Sequence, residues 1–263
     1  MAKVHKVIIQ GQASIIHGKY WCNEDSSAPV ALIMPSHPMN NIGIDNIVIY
    51  NLFHVFKESG LSVLRIEFSN ENQKIPLEAY TTTQMTLDAY SAMQWLTERH
   101  KDASHYWITS FSLSAEVLFN IVSRRPEVEN FIAISPVYKI NLPQKTASTG
   151  KKKVKSQAKS NAIRISDFSS STMPGGLYIY GSQDKFVLKE EHEQIALSCQ
   201  EKNPEIKYHC IKGGNHSLSN SIENIKELCD VVKEHIQVSL ATRISIPIRK
   251  KRRKRKKRDE VVL

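Results

Sequence analysis

Two periodicities alternate along this chain. Residues 4–9 and 13–22 carry β-branched residues and apolar–polar alternation, separated by a short "QGQ" turn, which predicts an opening antiparallel pair of strands. The run "PVALIMPS" (29–36) is continuously apolar and too short for a helix, as expected of a strand buried on both faces. The period then changes: in "IDNIVIYNLFHVFKESG" (44–60), Ile44, Val48, Leu52 and Val55 fall on one helical face, and Gly60 supplies a stop.

The same switch recurs down the chain. Strand "SVLRIEF" (62–68) precedes a long helical stretch between Pro76 and His100, with Met85, Ala89, Ala92 and Leu96 at helical spacing. Strand "HYWITSF" (105–111) leads into a helix beginning near Leu113, and "FIAISPV" (131–137) reads as another buried strand. The last units are strand "LYIYGS" (177–182), a helix over 188–201, strand "IKYHCIKG" (206–213) and a helix from about 222 to 240. Strands alternating with helices of this length imply a mostly parallel sheet with helices on both faces, and such sheets bind ligands at the carboxyl ends of their strands. No internal repeat is present. Two segments depart from the rhythm: residues 138–173, polar and rich in Lys and Ser, read as a flexible insert, and a basic tail follows Pro247.

The tail changes how the charge is read. The formal net charge is +10, and "RKKRRKRKKR" (249–258) contains ten basic residues in ten positions, so the rest of the chain is near neutral. Such a run repels itself and binds polyanions such as nucleic acid or an anionic membrane without sequence preference; no aromatic residue interleaves it to stack on bases. Cys22, Cys199, Cys210 and Cys229 show neither C-x-x-C spacing nor the density of a secreted scaffold, which suits reduced thiols in a cytoplasmic protein. The sequence suggests neither a signal peptide nor a membrane span, and no His/Cys cluster or glycine-rich phosphate loop points to a metal or nucleotide cofactor.

Candidate chemistry sits at the strand ends. "ITSFSLSAEV" (108–117) is a strand running directly into a helix with Ser110, Ser112 and Ser114 at the junction. A serine on such a turn can act as a nucleophile, although the specific signature has glycines where Ser110 and Ser114 stand. A nucleophilic Ser112 needs a general base, and the base needs a carboxylate to hold its tautomer. Asp184 in "YIYGSQDKFV" and His216 in "CIKGGNHSL" lie just after two successive later strands, in the order Ser, acid, His. Each alone has an ordinary structural reading; the conjunction singles out Ser112.

Together, "VALIMPSHPMNNIG", the serine junction, "RRPEVENFIAISP", "YIYGSQDKFV" and "IKGGNHSL" resemble the small bacterial α/β-hydrolases of the dienelactone-hydrolase-like group, over about residues 30–240. That resemblance implies a Ser112–His216–Asp184 hydrolase of carboxylic esters or related acyl compounds; residues 1–247 are expected to form the α/β-hydrolase domain, and the self-repelling charge run makes 248–263 a disordered tail. The oxyanion would be held by the backbone N–H of Leu113 and by one from the loop after strand 29–36, at Ser36 or His37. The His37 side chain could equally serve only to pack or hydrogen-bond within its loop. The chain departs from the group's pattern at the two glycines, at Met34-Pro35 and in the glycine-free "SNENQKIP" (69–76). A second expectation follows: a catalytically silent scaffold tethered to polyanions by its tail.

Overall fold

The computed structural model describes residues 3–38, 43–68, 80–137 and 173–244. The tail, nearly all of the insert and the "SNENQKIP" stretch lie outside the described residues.

Eight strands form one sheet. Strands β1 (His5–Gln10) and β2 (Ile15–Trp21) make the expected antiparallel pair. They are followed by β3 (Val30–Met34), α1 (Ile47–Glu58), β4 (Ser62–Glu67), α2 (Thr82–Arg99), β5 (Tyr106–Phe111), a 3₁₀ turn at Ser112–Ser114 and α3 (Ala115–Val122). The chain continues through β6 (Val128–Ile134), β7 (Gly175–Gly181), α4 (Lys189–Lys202), β8 (Ile206–Ile211) and α5 (Ile222–Ile244). The spatial order is β1-β2-β4-β3-β5-β6-β7-β8. β2 pairs antiparallel with β4, and every neighbouring pair from β4 to β8 is parallel.

Side-chain alternation explains why the sheet is covered twice. Val30, Leu32 and Met34 of β3 join Ile108 and Ala133 in a core closed by α2, α3 and α4. Ala31 and Ile33 point the other way, with Trp107 and Ile132, into a core closed by α1 and α5. The unbroken apolar run of β3 is thus the signature of a strand with no solvent face.

Local chemistry sets the boundaries. Helix α1 begins three residues later than the periodicity alone suggests because Asn46 caps it, its Oδ1 accepting from the Val48 amide at 2.9 Å. Gly60, at φ +87°, turns the chain beyond its end. A Thr81/Gln84 capping box starts α2. On α2, Asp88 is fully buried and accepts from the Ala13 and Ser14 amides (2.9 and 3.0 Å), the Ser14 hydroxyl (2.5 Å) and the Tyr80 hydroxyl (2.7 Å), tying the β1–β2 turn to the helix. The strand read at 131–137 lies three residues earlier, at Val128–Ile134, because Ser135 takes φ +42° and turns the chain away from the sheet.

Candidate active site

Parallel pairing of β3, β5, β6, β7 and β8 brings their carboxyl ends to one edge of the molecule. β5 delivers Ser112, β7 delivers Asp184 and β8 delivers His216. At the first of these ends the chain leaves β5 and reverses into α3 within the 3₁₀ turn, and Ser112 adopts φ +59°. A residue with a Cβ in this region costs of order 1–3 kcal/mol, which the surrounding structure must offset. The glycine positions of the usual signature are not the strained ones here. Ser110 remains within β5, and Ser114 sits at φ −74°. The backbone strain of this turn falls on Ser112 itself.

Ser114 takes a constructive part in the turn. Its Oγ accepts from the Phe111 amide at 3.0 Å and donates to the Phe111 carbonyl at 3.0 Å, with the Met34 carbonyl at 3.4 Å beyond it. One hydroxyl therefore closes the turn and touches the end of β3. Ser110 is fully buried, and its Oγ has no hydrogen-bond partner among the described residues.

The three expected side chains meet. Ser112 Oγ lies 2.8 Å from His216 Nε2, and His216 Nδ1 lies 2.7 Å from Asp184 Oδ2. The two downstream loops are fastened to each other: the Gln183 amide donates to the Gly214 carbonyl (2.8 Å) and the Gly213 amide to Ser182 Oγ (2.8 Å). Their approach requires glycine at 181, where a Cβ would lie 2.2 Å from the Gly214 carbonyl oxygen.

Asp184 is strongly held. Its Oδ1 accepts from the amides of Phe186 (2.8 Å) and Val187 (3.2 Å), and its Oδ2 accepts from His192 Nε2 (3.2 Å) as well as from His216. Burial alone would raise the carboxyl pKa; hydrogen bonds from His192, His216 and the Phe186 amide outweigh it and hold Asp184 well below the ordinary carboxylate range. An ionised carboxylate only accepts, so His216 carries its hydrogen on Nδ1 and turns the lone pair of Nε2 toward Ser112.

The site opens onto a cleft of about 720 Å³, within the range of small-molecule pockets. Leu113, Val137 and Phe186 give it an apolar side, and Phe186 is 77% exposed with its ring centroid 4.7 Å from that of His216. Gln183, Lys185, Asn215 and Asn220 line the polar side. The asparagines are committed to the loop: Asn220 Oδ1 accepts from the Asn215 amide (3.0 Å) and its Nδ2 donates to the Gly213 carbonyl (2.9 Å).

The expected oxyanion positions follow the ends of β5 and β3. Leu113 opens the turn after Ser112, where backbone N–H groups lack partners within the helix. Ser36 and His37 follow β3, whose last residue, Met34, is in register with Ser110. The His37 ring has a structural task, its Nε2 lying 2.5 Å from the Tyr80 carbonyl. Among the described residues no group of His, Cys, Asp or Glu could hold a metal ion, and no helix is long and apolar enough to cross a membrane.

No family model matches the chain. Over 227 residues it is 26% identical to an uncharacterized protein of Rickettsia prowazekii (strain Madrid E), covering 84% of this chain and 85% of that protein. A protein of unknown function from Agrobacterium tumefaciens, described as a candidate α/β hydrolase, superposes with a TM-score of 0.71 at 22% identity over 90% of this chain and 97% of that one. The chain has the α/β-hydrolase fold. An α/β serine hydrolase homologue from Coxiella burnetii shares it, with a TM-score of 0.66 at 16% identity over 89% and 97% of the two chains.

Within this α/β-hydrolase fold, sequence reasoning missed His192 and Phe186. His192 carried a usable signal: it shares a helical face with Ile195, Ala196 and Cys199 and is buried with them, so a polar ring stood on an apolar stripe. Phe186 carried none, because an exposed aromatic residue in a loop has no periodicity to mark it.

Proposed function

We propose that this protein is a serine hydrolase that cleaves a carboxylic ester or a related small acyl substrate through a Ser112 acyl-enzyme. The observation that carries this reading is the continuous hydrogen-bonded path from Ser112 Oγ through the His216 ring to Asp184, built on a turn that holds the nucleophile at φ +59°. In the reaction, His216 Nε2 takes the hydroxyl proton as Ser112 Oγ bonds to the acyl carbon, and Asp184 stabilises the imidazolium. The negative charge that develops on the carbonyl oxygen meets the Leu113 N–H and a second backbone N–H from Ser36 or His37. His216 returns the proton to the leaving oxygen as the ester C–O bond breaks. Water, deprotonated by the same ring, then displaces Ser112 and releases the acid. The apolar wall of Leu113, Val137 and Phe186 suits the acyl chain, and Gln183 and Lys185 suit a polar or anionic end.

Support also comes from the fold, which is shared with a serine hydrolase homologue, and the four unpaired cysteines accord with a cytoplasmic setting. The basic run 249–258 is read as a separate, non-specific polyanion contact that plays no part in the chemistry. The test is hydrolysis of a series of p-nitrophenyl esters of increasing acyl length. Ser112→Ala lowers kcat by roughly 10⁴-fold or more, as does His216→Ala. Wild-type turnover in Ser112→Ala would overturn the assignment.

A further inference from the structure

Behind the acid lies a second histidine that the hydrolytic scheme does not use. His192 is completely buried in α4, with its ring stacked on Tyr180 at 4.8 Å between centroids and an interplanar angle of 24°. Its Nδ1 lies 2.9 Å from the Tyr178 hydroxyl, and its Nε2 lies 3.2 Å from Asp184 Oδ2, the same oxygen that receives His216. Since the carboxylate accepts only, one tautomer satisfies all three groups: Tyr178 O–H donates to Nδ1, and Nε2–H donates to Asp184. We infer that His192 is a positioning residue, which pins Asp184 Oδ2 beneath His216 and shares that oxygen as an acceptor, so that the general base is held in one orientation.

This inference rests on the Ser112–His216–Asp184 reading and adds a fourth and a fifth group to it. An oxygen that accepts from two N–H donors binds each less strongly than it would bind one alone. Withdrawal of the His192 donor therefore concentrates the carboxylate on His216 and stabilises its protonated form. A base that must be neutral to act then becomes available only at higher pH. The groups that could also move such a profile are Tyr178 and Tyr180 on β7, Lys189 and Glu193 on α4, Cys210 on β8 and His216 itself. Lys189 and Glu193 are partly exposed and pair with each other at 3.5 Å, so their fields largely cancel.

Glutamine and asparagine separate geometry from polarity. In His192→Gln the amide nitrogen reaches the place of Nε2 and keeps the donor; in His192→Asn the side chain is too short to reach Asp184. In the full-length protein, His192→Asn is expected to move the acid limb of the kcat/KM profile upward by roughly 0.5–1 pH unit. It also shifts the low-field proton resonance of the His216 Nδ1–H···Asp184 bond further downfield, whereas His192→Gln leaves both at their wild-type positions. Should the asparagine variant not fold, the double variant Tyr178→Phe/His192→Phe removes donor and hydroxyl together, keeps the ring volume and is expected to show the same two shifts. An unmoved limb and an unmoved resonance in a folded donor-free variant would overturn the role. The proton resonance needs no turnover, so its displacement in a protein that cleaves no ester would sink the hydrolase reading and leave His192's role standing.

Discussion

At Ser114 a side chain performs what a glycine accomplishes by its absence. Its hydroxyl holds both polar groups of Phe111, and through them the strained Ser112. Ser114→Ala leaves the buried Phe111 amide without that acceptor, and the expected cost is about 1–2 kcal/mol in urea unfolding, with a larger relative loss in kcat than in KM. Ser110→Ala should behave oppositely: it deletes a buried hydroxyl that has no partner among the described residues, so stability holds or rises by up to about 1 kcal/mol. The site was legible in part at this scale. Ser112, Asp184 and His216 were recoverable because each follows a strand and their order is constrained. The φ of Ser112 and the bonds of Ser114 were not, because both depend on how β3 and β5 end side by side, which no local pattern records.

Among the elements, the buried strands and amphipathic helices announced themselves through periodicity, and their errors have local causes. The sheet order was not written in any segment: the antiparallel pairing of β2 with β4 joins residues such as Tyr20 and Leu64, far apart in sequence. The joint between the ends of β7 and β8 is where this long-range geometry matters most for the site. Gly181→Ala places a Cβ against the Gly214 carbonyl and drives apart the loops that carry Asp184 and His216. Activity is expected to fall by at least ~100-fold, since small misplacement of a catalytic group is costly, while far-UV circular dichroism stays close to wild type. Undiminished kcat in a folded Gly181→Ala protein would mean that the two loops are positioned by something else.

For the whole molecule, acid sensitivity has an identifiable source outside the site. Burial, followed by the charge of Lys207, pushes His235 down to about 4, and burial lowers His100 and His54 as well. A histidine held neutral in the folded state adds stability that is complete above its ordinary pKa near 6.5 and is lost as pH falls through the folded value. Between about pH 6.5 and 4, His235 alone accounts for about 3 kcal/mol of lost stability. Its Nε2 donates to Asn130 Oδ1 at 2.9 Å, a bond that His235→Gln can keep without titrating; that variant should show a flatter stability profile in urea titrations over this window. The tail acts on a different quantity. Deletion of residues 249–258 is expected to leave ester turnover unchanged and to abolish salt-sensitive retention on heparin or RNA.

The central claim is that Ser112, alone among the three serines of its turn, is an activated nucleophile. Incubation of the full-length protein with a fluorophosphonate probe, followed by peptide mapping, tests it most directly. The expected result is one adduct per chain, located on Ser112, absent from Ser112→Ala and strongly reduced in His216→Ala. No adduct on a folded wild-type protein near neutral pH, or an adduct on Ser110 or Ser114 that persists in Ser112→Ala, would contradict it.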